Sequence, residues 1–108
     1  MVVTVFRSRL KAGAKDEYLQ WAQRMAGIAR TMPGYVSHKG FNADDGERVT
    51  IVEFEDEASQ RAWAMQAQHV EAKKKGRADF YEEYKVQVCS VVRESSFKAK
   101  EVSDGVRS

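Results

Sequence analysis

The stretch YVSHKGFNADDGERVTIVEF, residues 35–54, decides how this chain folds. Tyr35 to Asn42 and Glu47 to Phe54 both read as strands, and Ala43-Asp44-Asp45-Gly46 between them carries the Asp-Gly signal of a hairpin. The two strands must therefore pair antiparallel. Just upstream, Met32-Pro33-Gly34 stops a helix, because the residue before proline is pushed out of helical angles and glycine permits the turn. Just downstream, Asp56 is placed to cap a second helix, and Glu57 in its first turn suits the helix dipole.

Outward from the hairpin the hydrophobic period changes. Tyr18, Ala22, Met25, Ala29 and Met32 recur every three or four residues, which predicts an amphipathic helix from about Ala14 to Met32. Residues 2–10 before it are rich in β-branched side chains and read as a strand ending at Lys11-Ala12-Gly13. The second helix is expected to run to about Ala67, and a shorter one from about His69 to Lys75 precedes Gly76. Arg77 to Tyr84 stays open between a helical turn and the approach to a strand, whereas Val86, Val88, Val91 and Val92 make Lys85 to Arg93 a strand. The order strand, helix, strand, strand, helix, strand, with right-handed crossovers, gives an α+β ferredoxin-like βαββαβ fold, a four-stranded antiparallel sheet with its helices on one face. Residues 1–94 form that domain, and the Ser- and Lys-rich residues 95–108 read as a flexible tail.

Strand residues alternate between faces, and here both faces are apolar. Val3, Val5, Val49 and Ile51 oppose Phe6, Leu10, Val52 and Phe54; Val86, Val88 and Val92 oppose Cys89 and Val91. Helices can cover one face only, and each large side chain left in water forgoes roughly 1.5–3 kcal/mol. A second copy packed sheet to sheet is the simplest cover, so a homodimer is expected.

At 108 residues the chain suits one hydrophobic core. Eighteen Lys and Arg against sixteen Asp and Glu leave a net charge of +2, too balanced for a nucleic-acid footprint or a polybasic membrane patch. No apolar run approaches the roughly 20 residues of a membrane span. Cys89 is the single cysteine, so no intramolecular disulfide forms, and a cytoplasmic, reducing location is expected. Cys89 itself reads as a small buried hydrophobe, and Lys73-Lys74-Lys75 as a solvated helix end.

Phe54-Glu55-Asp56-Glu57-Ala58 to Ala62-Trp63, then Gln68-His69-Val70-Glu71-Ala72 and Gly76-Arg77-Ala78-Asp79-Phe80-Tyr81 to Tyr84, resemble the second half of antibiotic biosynthesis monooxygenase (ABM) domains. The first half is similar too, from Lys11-Ala12-Gly13 to Met32-Pro33-Gly34-Tyr35, so the resemblance spans about residues 1–93. It implies a dimeric α/β barrel with a pocket between the helices and sheet of each subunit. Relatives include oxygenases that convert polycyclic phenols to quinones with dioxygen and no metal or flavin, small quinol oxygenases and haem-degrading enzymes. Trp63 matches the helix tryptophan that borders the pocket in the phenol oxygenases and haem degraders. Ser59 stands where phenol oxygenases can carry Asn, and His69 where they can carry Tyr. The haem degraders' iron-ligating histidine corresponds to Lys73, and their first-strand asparagine is lacking, which disfavours haem degradation.

Through this resemblance the expected function is a cofactor-independent oxidation of a hydrophobic phenol or quinol by dioxygen. The alternative is a non-catalytic module that binds a small aromatic molecule or mediates assembly. An oxygenase without cofactor must draw electrons from its substrate, and a phenol gives them up more readily as phenolate. Lowering a phenol pKa near 10 by about three units asks roughly 4 kcal/mol of the site. In the candidate catalytic set Arg7 and Arg77 are the cations, His69 the base and Trp63 the ring that shapes the pocket. Trp63, Ser59, His38, Tyr81, Tyr84 and Tyr18 are the candidate substrate contacts, each with a packing role as its rival reading. No metal-ligand spacing and no metal or organic cofactor is expected.

Overall fold

Period-two alternation in β1 (Val2–Leu10) sends Val2, Thr4, Phe6, Ser8 and Leu10 to one face and Val3, Val5, Arg7 and Arg9 to the other. In the computed structural model, which describes residues 1–100, β1 is a central strand of a four-stranded sheet. The remaining elements are α1 (Lys15–Ala29), β2 (Tyr35–Asn42), β3 (Arg48–Phe54), α2 (Glu57–Ala64), α3 (Ala67–Lys75), a five-residue π-helical turn (Gly76–Phe80) and β4 (Tyr81–Ser90). The strand order is β2-β3-β1-β4, and all three pairings are antiparallel. This is the α+β arrangement that the hairpin and the element order predict.

Register decides which side chains meet. Thr4 lies between Val52 and Val88, Phe6 between Thr50 and Val86, and Ser8 between Arg48 and Tyr84, so these residues share the face that the helices cover. Two buried clusters fill the space beneath the helices. Ala14, Tyr18 and Phe80 pack with Leu10, Trp21, Ala22 and Tyr81 at one end. Ala29, Phe54 and Trp63 pack with Met25, Ile28, Met32, Tyr35 and Val52 at the other. The apolar stripe of α1 contributes to both. Gly34 holds a φ of +79°, and a Cβ there would run into Ser59 Oγ, so the close approach of the α1–β2 turn to α2 needs glycine at this point.

Several boundaries move for identifiable reasons. α1 ends at Ala29, three residues early, where Thr31 and Met32 form turns whose amides bond to the carbonyls of Ile28 and Ala29. The open segment 77–84 divides between the π-helical turn and β4, which starts at Tyr81, four residues before the expected strand. β4 also stops at Ser90, because its partner β1 begins at Val2 and leaves Val92 and Arg93 nothing to pair with. Beyond it, residues 91–100 form neither helix nor strand, and residues 101–108 of the expected tail lie outside the described residues. Cys89, expected to be buried, is exposed, since it pairs with Val3 on the face that no helix covers. On that face Val3, Val5, Val49 and Ile51 form an apolar band in the single chain. Among the described residues no helix is long and apolar enough to cross a membrane.

Candidate functional site

α2 begins at the expected cap, the Asp56 carboxylate accepting the Ser59 amide at 2.8 Å. Backbone bonding to this carboxylate keeps its pKa below the ordinary value. One turn beyond Ser59, Trp63 enters the core with 7% of its surface exposed. Its indole packs among Ala29, Phe54 and their neighbours, and the imidazole of His69 stacks on it with ring centroids 4.1 Å apart and 14° between planes. The chain turns the corner from α2 to α3 at Met65 and Gln66, and the Gln66 side chain caps α3 by accepting the His69 amide at 2.9 Å.

His69 Nδ1 lies 2.9 Å from the Trp63 carbonyl oxygen. A carbonyl can only accept, so Nδ1 carries the proton and Nε2 keeps its lone pair. Burial lowers the His69 pKa from 6.5, opposed by the bond to Trp63 and aided by the charge of Lys73. The imidazole is therefore neutral at pH 7 and has one free basic nitrogen. Lys73, expected in a solvated helix end, instead donates from Nζ to the Ala64 carbonyl at 2.8 Å and satisfies the C-terminus of α2. Lys75 is likewise engaged, with Asp79 and Glu17, leaving Lys74 as the exposed member of the run.

His38 reaches the helix side by way of a bulge. The β2–β3 register shifts between Tyr35 and Ser37, which takes Val36 out of the pattern at 43% exposure and sets His38 opposite Val52. The Tyr35 hydroxyl and His38 Nδ1 are 2.7 Å apart, and burial, then the charge of Arg30, lowers the His38 pKa.

The other candidate residues gather at the opposite end of the helix face. Tyr81 meets Tyr18 and Tyr84 at centroid distances of 5.8 and 5.5 Å, and Phe6 stacks on Tyr84 at 5.5 Å. Burial, reinforced by Tyr18, raises the Tyr81 phenol well above its ordinary value, so it remains protonated. Arg77 Nε donates to the Tyr84 hydroxyl at 2.7 Å. Arg7 joins neither group. It lies on the face away from the helices, in a bidentate pair with Glu47 at 2.9 and 3.0 Å, so the sheet separates it from Trp63.

One residue of this end escaped the reading of the sequence. Arg48 crosses the helix face, donates from Nε to the Tyr18 hydroxyl at 3.2 Å, and places its guanidinium 5.6 Å from the Tyr18 ring centroid. It shares parity with Val52 and Phe54, and a cation on the apolar side of a strand is the signal that would have singled it out.

Two depressions are recorded. One of about 200 Å³ between α1 and α3 is lined by Trp21, Arg24, Ala67, Gln68 and Glu71. The other, of about 300 Å³, is bordered by Arg7, Ser8, Glu47, Glu83, Tyr84 and Lys85. Neither touches Trp63 or His69. Among the described residues no group of three or more His, Cys, Asp or Glu side chains is arranged to hold a metal ion.

Comparison with known proteins agrees with this architecture. Over 94 residues the chain is 30% identical to the uncharacterized protein YqjZ of Bacillus subtilis strain 168, covering 87% of this chain and 82% of that protein. Its fold is similar to that of SnoaB, a cofactor-independent oxygenase from Streptomyces nogalater, with a TM-score of 0.73 at 21% identity over 86% of this chain and 94% of that one. It is similar also to Rv0793 from Mycobacterium tuberculosis, with a TM-score of 0.78 at 16% identity over 88% and 98% of the two chains. The sequence profile described as "Antibiotic biosynthesis monooxygenase" matches residues 1–75. With that profile covering well over half its length, the chain belongs to the antibiotic biosynthesis monooxygenase family.

Proposed function

We propose that this protein is a cofactor-independent monooxygenase that oxidises a hydrophobic phenol or quinol with dioxygen and works as a homodimer. The observation that carries the reading is the neutral His69, stacked on Trp63 with Nδ1 committed to a carbonyl and Nε2 free to take a proton. Its pKa, below 6.5, leaves the base form dominant at neutral pH. In the step proposed, Nε2 accepts the phenolic proton, and the resulting phenolate passes electrons to dioxygen. One oxygen atom bonds to a ring carbon, and the other leaves as water with the two hydrogens the substrate loses. For an anthrone this sums to anthrone plus O2 giving anthraquinone plus water, with the substrate as sole reductant.

Of the candidate cations, Arg77 lies on the helix side through its bond to Tyr84, and Arg7 is committed to Glu47 across the sheet. Arg77 is thus the better placed to favour an ionised substrate. Ser59 and Trp63, one turn apart on α2, and Tyr18, Tyr81, Tyr84 and His38 are proposed as substrate contacts.

A second reading is favoured by the packing of Trp63, whose ring sits in a closed cluster at 7% exposure. In that reading the domain binds a small aromatic molecule or serves in assembly without turnover. Oxygen-electrode measurements on a panel of anthrones and hydroquinones separate the two. The oxygenase predicts uptake above buffer that falls by about 10²–10⁴-fold in His69→Ala, the range general-base removal gives. Saturable quenching of tryptophan fluorescence without oxygen uptake, unchanged by His69→Ala, would establish the binding module instead.

A further inference from the structure

Ser8 is among the most deeply buried of the described residues, at 2% exposure, yet its hydroxyl has no hydrogen-bond partner among them. Such a group costs about 1–3 kcal/mol where it stands, so a second polar partner would be gained at that point. Its neighbours across the sheet are Arg48 on β3 and Tyr84 on β4, all on the helix side. Residues directly opposite in an antiparallel pair bring their Cβ atoms within about 4.5–5.5 Å.

Arg48 is the second feature. It is partly buried, bonds only to the neutral oxygens of Tyr18 and, at 3.4 Å, Asn42, and forms no ion pair among the described residues. The contrast with the neighbouring strand β1 is sharp, since Arg7 and Arg9 both hold carboxylates of the β2–β3 turn. Its guanidinium lies over Gly40, where a Cβ would stand 2.5 Å from Nη2. β2 thus makes room for a cation that no carboxylate among the described residues neutralises. Tyr18 accepts from Arg48 Nε, which leaves its own proton to donate. Phe6, Tyr81 and Tyr84 supply ring faces beside this group, and Tyr84, 38% exposed, is the wall most open to the surface.

We propose that Arg48, Ser8 and Tyr18 form an oxyanion subsite on the helix side of the sheet, which takes the ionised oxygen of an aromatic carboxylate or phenolate. The guanidinium supplies the charge, the two hydroxyls supply donors, and the Phe6–Tyr81–Tyr84 rings receive the aromatic body. The inference deepens the aromatic-substrate reading above and rests on it. It assigns to the end of the helix face remote from Trp63 a second ionised group of the substrate, distinct from the hydroxyl that meets His69.

The test is equilibrium binding to the full chain by calorimetry at pH 7.5, with 2-naphthoate, its neutral isostere 2-naphthamide, and 2-naphthol. Wild type is expected to bind naphthoate about tenfold or more tighter than naphthamide, the scale of one charge-assisted hydrogen bond. If phenolates are the natural class, naphthol will bind with the absorption of its ionised form; if carboxylates are, it will bind neutral and weakly. Arg48→Gln should bring the naphthoate to naphthamide ratio close to one while naphthamide affinity stays within about twofold. Gly40→Ala keeps the charge but displaces the flexible end of Arg48, and should shrink the ratio in the same direction. Equal affinity for naphthoate and naphthamide with naphthol un-ionised, a preference that survives both substitutions, or no binding of any probe would overturn the subsite. Oxygen uptake on neutral quinols without anion preference would sink the subsite alone. Anion preference without oxygen uptake would sink the oxygenase reading alone.

Discussion

At His69 the surroundings set a pH window. Burial lowers its pKa below 6.5, and the same cause acts on His38. The unfolded chain takes up protons at these positions as pH falls through about 6.5, while the native state refuses them until lower pH. Unfolding then gains protons, so the histidine contribution is fully present above pH 6.5 and is lost below it. Thermal melts across pH 5–8 should show Tm falling as pH drops below 6.5, with a shallower fall in His69→Gln. Identical pH profiles for the two proteins would remove the buried neutral imidazole from the account. The sequence offered His69 as a candidate but not its tautomer, which depends on where the Trp63 carbonyl points after the chain has turned a corner. Arg48 was legible in principle from strand parity. Its lack of a carboxylate was not, because that depends on side chains from three strands and α1.

Elements came through where local chemistry decides them and blurred where tertiary pairing does. The Asp56 cap and the Asp45-Gly46 turn are local, and both stand where the residues put them, while α1 stops at Ala29, short of the Pro33-Gly34 breaker. The start of β4 at Tyr81 and its end at Ser90 depend on the extent of β1, which lies some eighty positions away in the chain and leaves no mark in the 77–93 stretch. The α3 cap was missed because short side chains lead at that position, and here the longer Gln66 serves. Gln66→Ala should destabilise the fold by about 0.5–2 kcal/mol, read from the denaturant midpoint at unchanged m-value. A variant as stable as wild type would mean that α3 is held by packing alone.

For the whole molecule, the sheet face away from the helices raises the main question. Val3, Val5, Val49 and Ile51 form an apolar band there, edged by Arg7–Glu47 and Arg9–Asp45 pairs. A homodimer joined through this face is our proposal, and a stable one would bury on the order of 800 Å² per subunit. Sedimentation equilibrium should find twice the chain mass, and Ile51→Asp should shift the population to monomer, because an unpaired carboxylate would enter a dry interface. A wild-type monomer at micromolar concentration would dismiss the proposal. The radius of gyration, 16.7 Å, exceeds the roughly 13 Å of a compact hundred-residue domain, consistent with residues 91–100 running off the body rather than folding back on it.

The corner between α2 and α3 is spanned by three bonds: His69 amide to Gln66, His69 ring to Trp63, and Lys73 to Ala64. A segment tied this way opens as one unit or not at all. Deuterium uptake by the amides of Met65 to Val70 should therefore follow a single protection factor, and acylating the Lys73 ammonium should lower it for all of them together.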